Sequence, residues 1–376
     1  MLPLSHLYYR SFLLQPKGEN CATIFDACRK GRVHVKRQSE NRAPPPKRSK
    51  TRGERPRKSG LLKEYHWHRE PLTPHHYACA VGDRIGKDLT VIGHLGAGRR
   101  SELYQVWSAE RWCTLTCKLQ SLESLDDRFA RAALRRELRI LQKLHHPNVV
   151  RAFGGGEHDG RHFLLLEYLE GPSLLEVLAA QPGRRMPLTD AIRTVIHVGA
   201  GLAHMHSLGF LHLDLKPANL LFREGVPVLL DMDTARALRP KRAPRSSPGT
   251  APYMSPEQAL RLPLDLTADV YGIGAILYEL LTGRWPFEDA YDGIDLRIGL
   301  ERQFPQIGQR PPPDPISLRG EISHSLNKSV MKALAKNAGE RFPTVPDLLL
   351  ALSSELNDPV SLWPKSAHAE REIRPG

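Results

Sequence analysis

The chain has 376 residues, 40% of them hydrophobic and 25% charged, a soluble globular balance and too much chain for one small domain. Its formal net charge of +13 is lopsided: residues 1–70 carry 17 Lys and Arg against 6 Asp and Glu, so +11 sits there and +2 is left for the rest. The excess is thus no argument for a nucleic-acid-binding globular part, and no nucleic acid is expected as its partner.

From the start, MLPLSHLYYRSFLL is broken by His, Arg and Ser and does not read as a secretory signal. Residues 1–84 are expected to be a basic, weakly ordered extension. Its segment 43–60, APPPKRSKTRGERPRKSG, has too few aliphatics to offset chain entropy. Two readings of it stay open: a solvated linker, or a patch that contacts a polyanion. The nearby His66, His68, His75 and His76 read as scattered surface histidines rather than a metal site. The five cysteines (Cys21, Cys28, Cys79, Cys113 and Cys117) are odd in number and lack C-x2-C spacing, so a reduced, cytoplasmic chain is expected.

From about residue 85 the pattern changes. Leu89–Leu95, Leu103–Trp107 and Leu115–Leu119 read as strands, residues 128–144 as a helix, and His162–Tyr168 as a further strand. After Gly171 the chain is mainly helical to about 355. A strand-rich small half followed by a helix-rich large half predicts an α+β fold with two lobes, residues 85–169 and 170–355, and a short tail over 356–376. The most apolar stretch, Val270–Leu281, is about a dozen residues and contains Glu279, too short to span a bilayer.

Five features within this span carry chemistry. Gly96-Ala97-Gly98 lies between two strands, where glycines let a turn fold over phosphates or merely close a hairpin. Lys118 ends an apolar strand and needs an anionic partner unless it sits at an edge. Glu137 shares a helix face with Ala133 and Leu141, and with Phe129 further along; an inward carboxylate there calls for a cation, and Lys118 is available. His212-Leu213-Asp214-Leu215-Lys216-Pro217-Ala218-Asn219 brings an acid, a cation and an amide into a short span, suited to orienting a hydroxyl, holding a phosphate and ligating a metal. Asp231 follows the apolar run Val228-Leu229-Leu230, as a metal ligand or a turn residue.

In order and spacing, LGAGRRSEL, TCK, RRELRIL, HLDLKPAN, DMD and SPE resemble the eukaryotic-type protein kinases, most closely their bacterial Ser/Thr branch. The resemblance covers residues 85–355. It implies the two-lobed kinase fold, a small β-rich lobe with one helix and a large helical lobe. It also implies transfer of the γ-phosphoryl group of ATP to Ser or Thr hydroxyls of protein substrates, autophosphorylation included, with Mg²⁺ or Mn²⁺. On this likeness Gly96 and Gly98 cover the phosphates, Lys118 contacts them and is held by Glu137, and Asp214 receives or orients the acceptor proton. Lys216 steadies the γ-phosphate, and Asn219 and Asp231 hold the metal. Leu95, Ala97, Ser101, Leu103, Thr116 and Leu166 line the nucleotide, with Glu167 to Leu169 as the hinge. Glu257 and Arg341 pair, Asp269 opens a buried helix, and Ser246, Ser247 and Thr250 are candidate phosphosites.

Three departures qualify the likeness. Ser101 stands at the third glycine. Leu213 replaces the Arg before the catalytic Asp, so activation-segment phosphorylation is not expected to be strictly required; Arg236, Arg239, Lys241, Arg242 and Arg245 read either as another cationic partner for a phosphate or as a disordered basic loop. Asp233 replaces the glycine of D-F-G, where a left-handed backbone would cost a non-glycine residue ~1–2 kcal/mol. Leu213 and Asp233 motivate the alternative of a pseudokinase scaffold. A small-molecule phosphotransferase of related fold is the other alternative, against which SPE, Asp269 and Arg341 speak.

Overall fold

The computed structural model describes residues 77–239, 249–291 and 304–356. Arg84–Ile85 (β1), Leu89–Ala97 (β2), Ser101–Ser108 (β3), Cys113–Gln120 (β4), Ala152–His158 (β5) and Arg161–Glu167 (β6) form one antiparallel sheet in the order β1-β2-β3-β4-β6-β5. Alternation explains why these segments pair. Tyr104 and Val106 on β3, with Leu115, Cys117 and Leu119 on β4, turn to one face and build the small lobe's core with Val91 and Leu165. The intervening residues of β4, Thr116 and Lys118, are left for the other face.

Helix α1, Arg128–Leu141, packs on β5 and β6 and is capped by the Asp127 side chain, which accepts from the Phe129 N–H. It stops short of the expected residue 144 because Lys143 and Leu144 donate to Ile140 and Leu141, i→i−3 bonds that tighten the last turn ahead of Pro147. Phe129 is not on the inward face: it is 68% exposed. Eight positions from Glu137 the helical pitch has turned it away by about 80°.

One limit and one strand differ from expectation. The tail was expected to run to 84, yet Tyr77 and Cys79 pack into the small lobe, with the Cys79 N–H donating to the Tyr104 hydroxyl (3.1 Å). The edge strand β5 was not foreseen, since Gly154, Gly155 and Gly156 give it little intrinsic strand preference. There a bulge between Ala152 and Gly154 uses a positive φ of 116° at Gly154.

The large lobe is built around α5, Leu266–Thr282, buried on nearly every side and stopped by Gly283 in the left-handed region (φ 77°). Around it lie Leu174–Ala180 (α2), Leu188–Ser207 (α3), Pro256–Ala259 (α4), His324–Ala333 (α6) and Val345–Ser353 (α7), with single-turn helices at Glu288–Tyr291 and Pro315–Leu318. At its upper edge lie the hairpin Leu220–Arg223 (β8) and Val226–Leu229 (β9), and the short pair Phe210–Leu211 (β7) and Arg236–Ala237 (β10). Where the lobes join, Gly171 passes so near the hairpin that a Cβ would meet the Phe222 carbonyl oxygen at 2.0 Å. Among the described residues no helix is long and apolar enough to cross a membrane.

Candidate active site

Sheet register assembles the upper half. Gly96 pairs with Leu103, Leu103 with Lys118 and Lys118 with Leu164, one row across four strands. Two residues back along β4, Thr116 pairs with Leu166. Leu95, Ala97 and Ser101 belong to the same hairpin, where the Gly98 N–H donates to the Ser101 carbonyl (2.9 Å). Neither Gly96 nor Gly98 has a positive φ, and a Cβ at either would meet nothing nearer than 3.8 Å. The fold itself therefore does not require glycine at these positions.

Lys118 donates from Nζ to both oxygens of Glu137 (2.8 and 3.1 Å) and to Oδ1 of Asp231 (2.8 Å). Glu137 is 1% exposed on α1 and also accepts from the Met232 N–H (3.2 Å). One ammonium thus serves two carboxylates. Burial pushes Glu137 up to about 7 against the opposing pull of Lys118. At Asp231 burial acts the same way, but the charge and hydrogen bond of Lys118 outweigh it and hold the carboxyl at about 2. Burial would lower Lys118, and the two carboxylates more than reverse that. Asp231 is itself in the left-handed region (φ 57°), a strain that this bonding sustains.

The lower half hangs from Asp269 in the first turn of α5. Its carboxylate accepts from the His212 and Leu213 N–H groups (2.8 Å each) and pairs with His206 Nε2 (2.8 Å). Burial opposes the charge, but His206 and these donors hold the carboxyl below its usual range. The anchored loop delivers Asp214, 9% exposed. Lys216 Nζ lies 2.9 Å from Asp214 Oδ2, and Asn219 Nδ2 donates to the Asp214 carbonyl (2.9 Å) and to Oδ2 (3.2 Å). The amide nitrogen of Asn219 is spent on Asp214, which leaves its oxygen as the group able to meet a cation. His206 was not singled out from sequence; its only signal is its place six residues before His212.

Thr250, expected as a candidate phosphosite, is placed otherwise. It is 7% exposed, donates its hydroxyl to Asp214 Oδ1 (2.6 Å) and accepts from Lys216 Nζ (3.1 Å). The hydroxyl thus bridges the Asp214 carboxylate and the Lys216 ammonium in this structure. Ser246 and Ser247 lie outside the described residues, as do Lys241, Arg242 and Arg245.

The departures find local answers. Leu213 is buried in an apolar cluster with Leu211, Leu264 and Ala268, where an Arg would need an anion. Positive φ falls on Leu213 and Asp231 and not on Asp233, so the left-handed strain expected at Asp233 does not arise. Instead the Asp233 carbonyl accepts from Arg136 Nη2 on α1, and its carboxylate is 4.0 Å from the same nitrogen. Arg236, flanked by Arg136 and Asp233, has its basicity lowered by burial and by that second guanidinium.

At the hinge, the Glu167 carboxylate turns aside to Arg223 (2.5 Å) and the Arg151 N–H (2.9 Å). Leu166 is buried and Leu169 packs on the large-lobe core. Below the site, Arg341 and Glu257 form a two-bond ion pair (2.6 and 2.8 Å).

The family described as the protein kinase domain matches residues 89–350. The chain belongs to this family. Serine/threonine-protein kinase PknH of Mycobacterium bovis is 30% identical over 270 residues, 70% of this chain and 43% of that protein. A probable serine/threonine-protein kinase PknB of Lactococcus lactis is 29% identical over 74% of this chain and 44% of its own. The chain thus spans less than half the length of these curated relatives. The solved PknI kinase domain of Mycobacterium tuberculosis superposes with a TM-score of 0.58 at 23% identity, covering 74% of this chain and 99% of that one, a likeness of fold alone. Kinase domains of this family use ATP and a divalent metal.

Proposed function

We propose that this chain is a protein serine/threonine kinase that moves the γ-phosphoryl group of ATP to Ser or Thr hydroxyls of protein acceptors, itself included. The observation that carries the reading is the closed group Asp214–Lys216–Thr250–Asn219, which aims a buried carboxylate at one point and surrounds it with donors. ATP supplies the transferable group, and a divalent cation, Mg²⁺ or Mn²⁺, neutralises its oxygens.

The residues suit these two ligands. Glycine at 96 and 98, unneeded by the fold, leaves room for close backbone approach to phosphates. Asn219 and Asp231 offer the hard oxygen donors that such a cation takes together with phosphate oxygens. Among the described residues no cluster of three or more His, Cys, Asp or Glu is spaced to hold a metal by itself. Lys118 then faces the phosphates, steadied by Glu137, and Lys216 meets the transferred group while Asp214 takes the acceptor proton. Leu95, Ala97, Ser101, Leu103, Thr116, Leu166 and the hinge Glu167–Leu169 frame the base and sugar. The free thiols of Cys79, Cys113 and Cys117 agree with a reducing, cytoplasmic setting. The polyanion-binding idea rests on residues 43–60, outside the described residues.

The scaffold alternative loses its two motives, since Leu213 is accommodated by apolar packing and Asp233 carries no positive φ. Labelled ATP with Mg²⁺, then Mn²⁺, should put label on Ser or Thr, reduced by about 10²-fold or more in Lys118→Met. Absence of label from folded, nucleotide-binding protein would restore the scaffold reading.

A pH dependence follows. Glu137 sheds its proton only near about 7, against its usual 4.5. Between those values the folded chain holds a proton that the unfolded chain has lost, so this group's share of stability falls as pH rises. Activity moves the other way: kcat/KM for ATP, which reports the free enzyme, should climb with pH and level off above about 7. Glu137→Gln should abolish the climb, and a flat wild-type profile would exclude this origin.

A further inference from the structure

Three hydrogen bonds hold the tip of the glycine turn from behind. Between β4 and α1 the chain makes a single 3-10 turn, Leu122–Ser124, preceded by Ser121. Ser121 and Ser124 are each 4% exposed. The Ser121 hydroxyl donates to the Arg99 carbonyl (2.7 Å) and the Ser121 N–H to the Arg100 carbonyl (3.0 Å). The Ser124 hydroxyl donates to that same Arg100 carbonyl (2.9 Å). Arg99 and Arg100 are the exposed tip between β2 and β3, where carbonyls are otherwise left to water.

The holder is itself held. The Ser124 carbonyl accepts from Gln120 Nε2 (2.5 Å) and from the Asp127 N–H (2.9 Å), and Gln120 is 0% exposed. Asp127 in turn caps α1, the helix that carries Glu137. Serine suits positions 121 and 124, being a short, uncharged donor that can be buried once it is bonded.

Peptide planarity converts this grip into a direction. Across a trans peptide the C=O and the following N–H point to opposite sides. With the Arg99 and Arg100 carbonyls drawn to Ser121 and Ser124, the Arg100 and Ser101 N–H groups are turned the other way, into the turn that Gly98 closes by donating to the Ser101 carbonyl (2.9 Å). The Arg100 N–H has no acceptor among the described residues. Successive N–H groups facing into a turn make a concavity for an anion.

We propose that Ser121 and Ser124 are positioning residues for the phosphates of ATP: they fix the two peptide planes that aim the Arg100 and Ser101 N–H groups, and so set the turn before nucleotide arrives. This rests on the nucleotide-binding part of the kinase reading above. A turn ordered by the fold spares binding the entropy of ordering it. Loss of the clamp should therefore weaken the hold on phosphates and leave the hold on adenosine alone.

The test is equilibrium binding of ATP and of adenosine to the full chain with Mg²⁺, by calorimetry. Ser121→Ala and Ser124→Ala should each weaken ATP about five-fold, and the double variant about ten-fold or more. Adenosine affinity should stay within about two-fold in all three, which also shows that the variants are folded. ATP affinity within about two-fold of wild type in the double variant, or equal losses for ATP and adenosine, overturns the inference. A wild type that binds ATP no more tightly than adenosine overturns it too, since the turn then holds no phosphate. Because the readout is binding, a wild type that binds ATP but transfers nothing removes the kinase reading while the outcomes above still decide this one.

Discussion

Asp214→Asn should slow phosphotransfer by roughly 10²–10⁴-fold and leave the fold and ATP affinity close to wild type. The shape of the side chain is kept, so Thr250 can still donate to the remaining carbonyl oxygen, and the loop stays tied to Asp269 through His212 and Leu213. What disappears is the charge that balances Lys216 at 2.9 Å and can receive the acceptor proton. The measurement is single-turnover transfer from labelled ATP, beside thermal unfolding with and without nucleotide. A rate within about ten-fold of wild type would mean that Asp214 is not the proton acceptor and that another group must be sought.

Arg341→Ala should destabilise the large lobe by about 3–5 kcal/mol, the range for removing one partner of a buried ion pair. The Arg341 side chain is 0% exposed. Its guanidinium donates to both Glu257 oxygens, to the Ala335 carbonyl (2.7 Å), to the Thr267 carbonyl (2.9 Å) and to the Lys336 carbonyl (3.1 Å). All five N–H groups are thereby engaged, and the plane lies over the Tyr271 ring (5.0 Å). Lysine has neither the fork nor the plane, so Arg341→Lys should recover little of the loss. Urea unfolding would show a lowered midpoint with little change in slope. A loss below about 1 kcal/mol would mean that the pair behaves as an exposed one.

The parts of the site that could be read from sequence are those where a residue type conflicts with its local setting. Lys118 in an apolar strand and Glu137 on an apolar helix face each demanded a partner, and the structure pairs them at 2.8 Å. The strands of the small lobe were legible through alternation, but their ends were not, since Ser101 and Gln120 extend the ladder by backbone pairing alone. Glycines hid β5. Thr250 and Ser121 were opaque for a different reason: nothing near a hydroxyl in the sequence tells which distant group it will meet. Thr250 finds its partner 36 positions away and Ser121 finds one 22 positions away. Asp233 misled because a family pattern assigns a conformation to a position, whereas this chain puts the positive φ at Asp231 and Leu213.

The sharing of Lys118 between Glu137 and Asp231 ties two binding events together. On the proposed reading, Lys118 would have to divide itself between Asp231 and a phosphate, and Asp231 between Lys118 and a cation. Whichever ligand arrived first would then loosen the internal pair and leave the second a partner already released. Cation and nucleotide would then be mutual effectors, each raising affinity for the other by the same factor, as thermodynamic reciprocity requires.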